Sequence, residues 1–256
     1  MNKSNIIRAI TLAMGMGAVL ALTVPASASP RTTAASASGG GGVTIHSRAI
    51  GLSAAPANSR VFAGYVATVP VGSATTSLAS FAVPTLTCTT ADRAITPVAG
   101  VDVTNSTFSA AFVFTGCVNG TALYFPSLVV NGTETDFQTS PFSAGDVIDL
   151  TTKVSTNRTR VQVTDVTTGV TQKLIEAGAR AVDAYIGDSF WSSNGALFHV
   201  PDFGKLTFKN CLIDGNALAS LHPHAFQRVN SLGTVQIATG GPFPGGTAFS
   251  THFQHS

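Results

Sequence analysis

The sequence predicts an all-β fold of antiparallel sheets packed as a sandwich or barrel, and three observations carry that expectation. Short runs rich in Val, Thr, Leu and Phe recur from Arg60 onward, turns of Gly, Asn, Asp and Pro separate them, and only 10% of the residues are charged. β-Branched and aromatic runs bounded by turn formers are strand signals. Surface helices depend on Glu, Lys and Arg, which are scarce here. No helical crossovers separate the runs, so the strands are expected to pair antiparallel.

The chain opens with Lys3 and Arg8, an apolar run over residues 9–24, and Ala26-Ser27-Ala28. This is the pattern of a secretory signal peptide cleaved after Ala28, so residues 1–28 are expected to be removed on export. The run is shorter than the ~20 apolar residues that span a bilayer, and no later stretch is longer, so no membrane span is expected after signal removal. Residues 29–59 are mostly Ala, Ser, Thr and Gly, with Gly39-Gly40-Gly41-Gly42, and hold too little apolar surface to fold alone. They are expected to be a disordered lead to one domain over residues 60–256.

Within that domain strands are expected over 61–69, 78–86, 109–114, 122–130, 147–154, 158–166, 205–208 and 234–238. Asn119-Gly120 and Asn131-Gly132 have the chemistry of two-residue hairpin turns, and Gly145-Asp146 marks a further turn. In Arg160-Val161-Gln162-Val163-Thr164-Asp165-Val166 strict alternation puts Val161, Val163 and Asp165 on one face. One stretch, residues 172–184, reads as helix-like but short and poorly capped.

The charge balance excludes some partners. Of the 14 basic residues, Lys3 and Arg8 lie in the signal, which leaves the mature chain as many bases as its 12 acids. With no basic block, nucleic acid and anionic membranes are not expected partners. Three cysteines, Cys88, Cys117 and Cys211, in an exported chain allow one disulfide and one remaining thiol, and no CxxC pattern suggests thiolate zinc. His222, His224, His252 and His255 lie in a Pro turn and the tail without acidic partners close in sequence, so no metal site is expected. Nothing in the sequence points to a cofactor.

Several segments in order resemble the glutamic peptidases, also called eqolisins or peptidase family G1. Gly64-Tyr65-Val66-Ala67, followed by 80–88 with its Val83-Pro84 step, resembles the family's first hairpin. Ala99-Gly100-Val101-Asp102 resembles its Val-Gly-Ile-Asp strand, and 143–148 and 164–169 resemble its Pro-Gly-Asp turn and Thr-x-Gly hairpin. The most specific match is Pro201-Asp202-Phe203-Gly204-Lys205-Leu206-Thr207-Phe208-Lys209-Asn210, and Gly246-Thr247-Ala248-Phe249-Ser250 resembles the last strand. The resemblance implies a secreted antiparallel double β-sandwich of concanavalin-like, eqolisin-like form, with a peptide or protein ligand in a cleft. It also implies a disulfide between Cys88 and Cys117, which would contribute roughly 3 kcal/mol by chain entropy. Cys211 is then expected to be a free thiol, buried rather than reactive.

The family cleaves peptides with a Glu and a Gln facing each other across the cleft. The carboxylate takes a proton from water and returns it, while the amide holds the developing oxyanion. Counting along this chain, the Gln position is filled by Ala111, or by Ala110 if the count slips by one, and the Glu position by Ala184, with Tyr185 in place of a Trp. Of the family's aromatic cleft strand chiefly Tyr124 remains. Asp102, Ala111, Tyr124, Ala184 and Tyr185 are therefore the expected cleft positions. Asp183 is the one candidate for a relocated catalytic carboxylate, although strand alternation aims it away from Ala184's face unless a β-bulge turns it. Asp188 and Asp202 lie nearby and are expected to serve turns and hydrogen bonds. The resemblance with these departures implies a catalytically silent homologue with a binding or structural role. The alternatives are an acid endopeptidase using Asp183 and a structural cell-surface sandwich.

Overall fold

A computed structural model describes residues 55–89, 93–104, 107–189 and 199–255, with the backbone of two short strand pairs within 36–44 and 192–197. The expected signal peptide and most of the expected lead lie outside the described residues.

Along the chain, β1 (Ser36–Ser38) and β2 (Gly42–Thr44) pair as a small hairpin. The next strands are β3 (Ala57–Ser59), β4 (Phe62–Thr68), β5 (Thr75–Ala82), β6 (Arg93–Val103), β7 (Thr107–Val118), β8 (Thr121–Val130) and β9 (Thr133–Asp136). They are followed by β10 (Val147–Val154), β11 (Arg158–Asp165), β12 (Thr171–Ala177), β13 (Ala181–Ser189), and the short pair β14 (Ser192–Ser193) and β15 (Ala196–Leu197). The chain closes with β16 (Lys205–Ile213), β17 (Asn216–Ala217), a turn of 3-10 helix at Leu218–Leu221, β18 (His224–Val229), β19 (Val235–Thr239) and β20 (Phe249–Phe253).

Most strands join in one hydrogen-bonded path, β12-β11-β10-β5-β16-β20-β19-β18-β4-β13-β6-β7-β8-β9, antiparallel throughout. The short β3 adds a parallel pairing to β18. The path rolls over near β20, β19 and β18, so that β10 and β11 pack face to face on β6, β7 and β8 without pairing with them. The result is the expected all-β sandwich: a back layer of β12, β11, β10, β5 and β16 against a front layer of β4, β13, β6, β7, β8 and β9.

The space between the layers is filled by one apolar cluster that includes Phe81, Ile95, Val101, Leu128, Ile148, Leu150, Val163, Ile186 and Phe208. Each such side chain taken out of water contributes about 1.5–3 kcal/mol, before the entropy of ordering is subtracted. The layers differ in their outer faces. In β11 burial alternates, with Thr159, Val161, Val163 and Asp165 inward, whereas β7 is buried along both faces over Phe108–Val118. A strand covered on both sides reads as a continuous apolar run, as β7 does.

The hairpin turns follow their residues. Asn119-Gly120 and Asn131-Gly132 all have positive φ, between 50° and 83°, which is the conformation that joins strands with the natural twist. The helix-like reading of residues 172–184 is overturned: β12 and β13 occupy it. Pairing of Arg158–Thr164 with Thr171–Ala177 overrides the helix preference of Gln, Lys, Leu and Glu. Cys88 and Cys117 form a disulfide, which ties the segment after β5 to the end of β7. Cys211 is a buried free thiol, pushed up to about 12 by burial.

Candidate functional site

Two faces of the front layer compete for the expected cleft residues, and register decides between them. Residues directly opposite in an antiparallel pair point to the same face, and neighbours along a strand point to opposite ones. Ala184 lies opposite Val101 and Ala67, Ala111 lies opposite Ala99 and Leu128, and all of these belong to the interlayer core. Tyr124 lies in the same core. Asp183 lies opposite Asp102 and Thr68, while Tyr185 lies opposite Gly100 and Val66, so these residues share the outer face.

The structure thus splits the five expected cleft positions. Asp102 and Tyr185 are on the outer face, whereas Ala111, Tyr124 and Ala184 point between the layers. Asp183 faces away from Ala184 by plain strand alternation and so shares the face of Asp102 and Tyr185; the register shift lies on its N-terminal side, between Ala181 and Asp183.

On that outer face Asp102 and Asp183 are cross-strand neighbours, each 2% exposed. The Tyr185 ring fills the space over Gly100: a Cβ at Gly100 would meet Tyr185 Cζ at 2.3 Å. Burial, and then the charge of Asp102, hold the Tyr185 phenol well above its ordinary range. Phe62 meets the same ring edge to face, with centroids 5.9 Å apart. Val66, Val98, Phe108, Ala110, Phe112, Val129 and Phe226 complete a buried apolar cluster with Phe62 and Tyr185. Two adjacent carboxyls under a phenol are acid–base chemistry in kind, but their surroundings are those of a filled face.

A second acidic group lies at the β8–β9 edge of this layer, and the sequence reading did not find it. Ser127 Oγ donates to Glu134 Oε1 at 2.9 Å and also contacts Asp136 Oδ1. A hydroxyl has one proton to give, so the two carboxyls share a single donor there. Burial, and then Asp136, raise Glu134 to about 7. The available signal was the Glu134-x-Asp136 spacing after the Asn131-Gly132 turn, which puts both carboxyls on one side of β9.

Asp202 serves a turn, accepting from Gly204 N–H at 2.9 Å. Among the described residues no three His, Cys, Asp or Glu side chains come together as metal ligands would, and no helix is long and apolar enough to cross a membrane. A groove of about 390 Å³ opens on the back layer, lined by Ser80, Pro84, Val147, Lys205, Thr207 and Lys209.

The fold is shared with solved peptidases of low sequence identity. A structure of scytalido-glutamic peptidase with a transition state analog inhibitor aligns with a TM-score of 0.60 at 18% identity, over 76% of this chain and 100% of that one. SCP-B, a member of the eqolisin family in complex with the tripeptide Ala-Ile-His, aligns at 0.59 and 16% identity, over 76% and 100%. Aspergilloglutamic peptidase from Aspergillus niger aligns at 0.54 and 18% identity, over 63% and 99%. No curated protein sequence matches the chain. The model of the Peptidase A4 family matches residues 60–239, which cover most of the sandwich. The chain therefore belongs to the Peptidase A4 family, the glutamic peptidases of family G1.

Proposed function

We propose that this protein is an exported glutamic-peptidase homologue that has kept the scaffold, lost peptide-bond cleavage, and acts by binding a peptide or protein segment. The observation that carries this reading is the front layer itself. No Gln or Glu stands at the positions counted from the family motifs; Ala111 and Ala184 fill them and turn into the interlayer core, while the outer face is packed with Phe62, Phe108, Phe112 and Tyr185. Without a carboxylate and an amide at those positions, water activation lacks its proton acceptor and the oxyanion its donor, and each such loss costs several kcal/mol of barrier, at about 1.4 kcal/mol per factor of ten. Peptide-like ligands in the solved relatives support a peptide as the bound class. Export rests on the signal pattern of residues 1–28 and agrees with the disulfide. N-terminal sequencing of secreted protein should begin at Ser29.

A specific observation favours a second reading, an acid endopeptidase that uses a displaced carboxyl pair: Asp102 and Asp183 stand side by side on one face. Incubation of the mature protein with a denatured protein substrate at about pH 3–5, where a carboxyl pair holds one proton, separates the two. The expected outcome is no cleavage. Cleavage that disappears in both Asp183→Ala and Asp102→Asn would establish the second reading instead. Failure to bind any member of a peptide library, together with no cleavage, would leave a structural cell-surface role.

A further inference from the structure

Asp188 lies on β13 beyond Asp183 but on the opposite face, inside the interlayer core, and it is 0% exposed. Its cross-strand neighbours, Ala63 on β4 and Pro97 on β6, carry no polar side chain. Among the described residues its one side-chain partner is Thr251 on β20, whose Oγ1 donates to Asp188 Oδ2. Asp188 Oδ1 has no hydrogen-bond partner among the described residues. β20 is no neighbour of β13 in the sheet, since β19, β18 and β4 stand between them. The contact therefore clips together two distant strands where the sheet rolls over.

We propose that Asp188 is a pH-operated latch, which holds β13 to β20 in acid and releases that seam as the solution approaches neutrality. Among the described residues no cation bonds Asp188. Among the described residues packed against β13, the inward-facing titratable groups are Tyr65 on β4 and Cys211 on β16, both kept neutral by burial and pushed up to about 12. The other described groups on these elements point elsewhere. Asp183 and Tyr185 on β13 and Asp102 on β6 are on the outer face, Lys205 and Lys209 on β16 are exposed, and His252 on β20 bonds Ser250. β5 offers no titratable side chain.

Burial raises Asp188 from 3.8 to about 7, with the Thr251 donation pulling back against it. The sign follows. A carboxyl whose folded value is raised keeps its proton while the unfolded chain loses it, so the folding equilibrium weakens about tenfold per pH unit between about 4 and 7. β13 also carries Asp183 and Tyr185, so the latch ties the placement of the candidate face to pH, whether that face cleaves or only binds.

Urea denaturation of the full mature protein from about pH 4 to pH 8, compared with Asp188→Asn, tests this. Glu134 titrates in the same range with the same sign, so the difference between the two proteins isolates Asp188. The variant should lose about tenfold less per pH unit than the wild type over that window; parallel curves would overturn the latch. Should Asp188→Asn fail to fold, carboxyl-carbon NMR of the wild type gives the same answer. A midpoint near 7 that moves higher in Thr251→Val is expected, and an ordinary carboxylate midpoint overturns the proposal. Hydrogen exchange adds the local readout. Corrected for intrinsic rates, amides of β13 and β20 should lose protection together towards neutrality while those of β10 and β11 keep theirs; a uniform loss would count against a seam.

Discussion

At Gly100 a missing side chain decides what the outer face can hold. The Tyr185 ring occupies the place of its Cβ, so Gly100→Ala forces the ring or β6 to move. Overpacking of this kind costs about 1–3 kcal/mol. Urea denaturation at acidic pH should show a loss in that range, and a change under about 0.5 kcal/mol, the size of an ordinary surface substitution, would mean that the ring shifts freely. Orientation at this scale was the part least legible in the sequence. Asp102 and Tyr185 were found by motif comparison, and Asp183 shares the face of Tyr185 by alternation, but the face of Ala181 relative to them depends on an irregularity between Ala181 and Asp183. A slip of one residue exchanges every face of a strand, and nothing local in Ala181-Val182-Asp183-Ala184 announces it.

Between elements, a hydroxyl from one layer is spliced into the other. Thr152 on β10 accepts from Ala111 N–H at 2.9 Å and donates to Ala99 C=O at 2.8 Å, bridging the β6–β7 ladder from the back layer. Thr152→Val keeps the shape and leaves a buried backbone donor and acceptor without partners, each worth about 1–3 kcal/mol. A loss of at least about 2 kcal/mol is expected by chemical denaturation, with Thr152→Ser recovering most of it; equal losses in both variants would point to packing rather than to the bridge. Most strands were legible from alternation and from the Asn-Gly turns, because those signals are local. β12 and β13 were not, since Gln, Lys, Leu, Glu and Arg prefer helix until a neighbouring strand supplies the pairing. β6 was legible only in part, because Pro97 interrupts the run in a strand that is nonetheless central.

In the whole molecule the Cys88–Cys117 bond closes a loop with a sequence separation of 29 and fastens the segment after β5 to β7. Replacing both cysteines by Ala should cost about 3 kcal/mol through the freed unfolded chain, seen as a lower urea midpoint with an altered dependence on denaturant. A midpoint unchanged from wild type would mean that the layers restrain that loop unaided. Taken alone, the sequence determined the all-β class, the hairpin turns, the pairing of two of three cysteines through family likeness, and the absence of Gln and Glu from the counted dyad positions. These rest on composition, period and residue identity, which are properties of the chain itself. Only the tertiary structure decided that Ala111 and Ala184 turn inward, that Asp102 meets Asp183, and that Asp188 is sealed against Thr251. Each of those depends on register and on how the sheet rolls onto itself, so partners from strands remote in sequence meet only once the layers close.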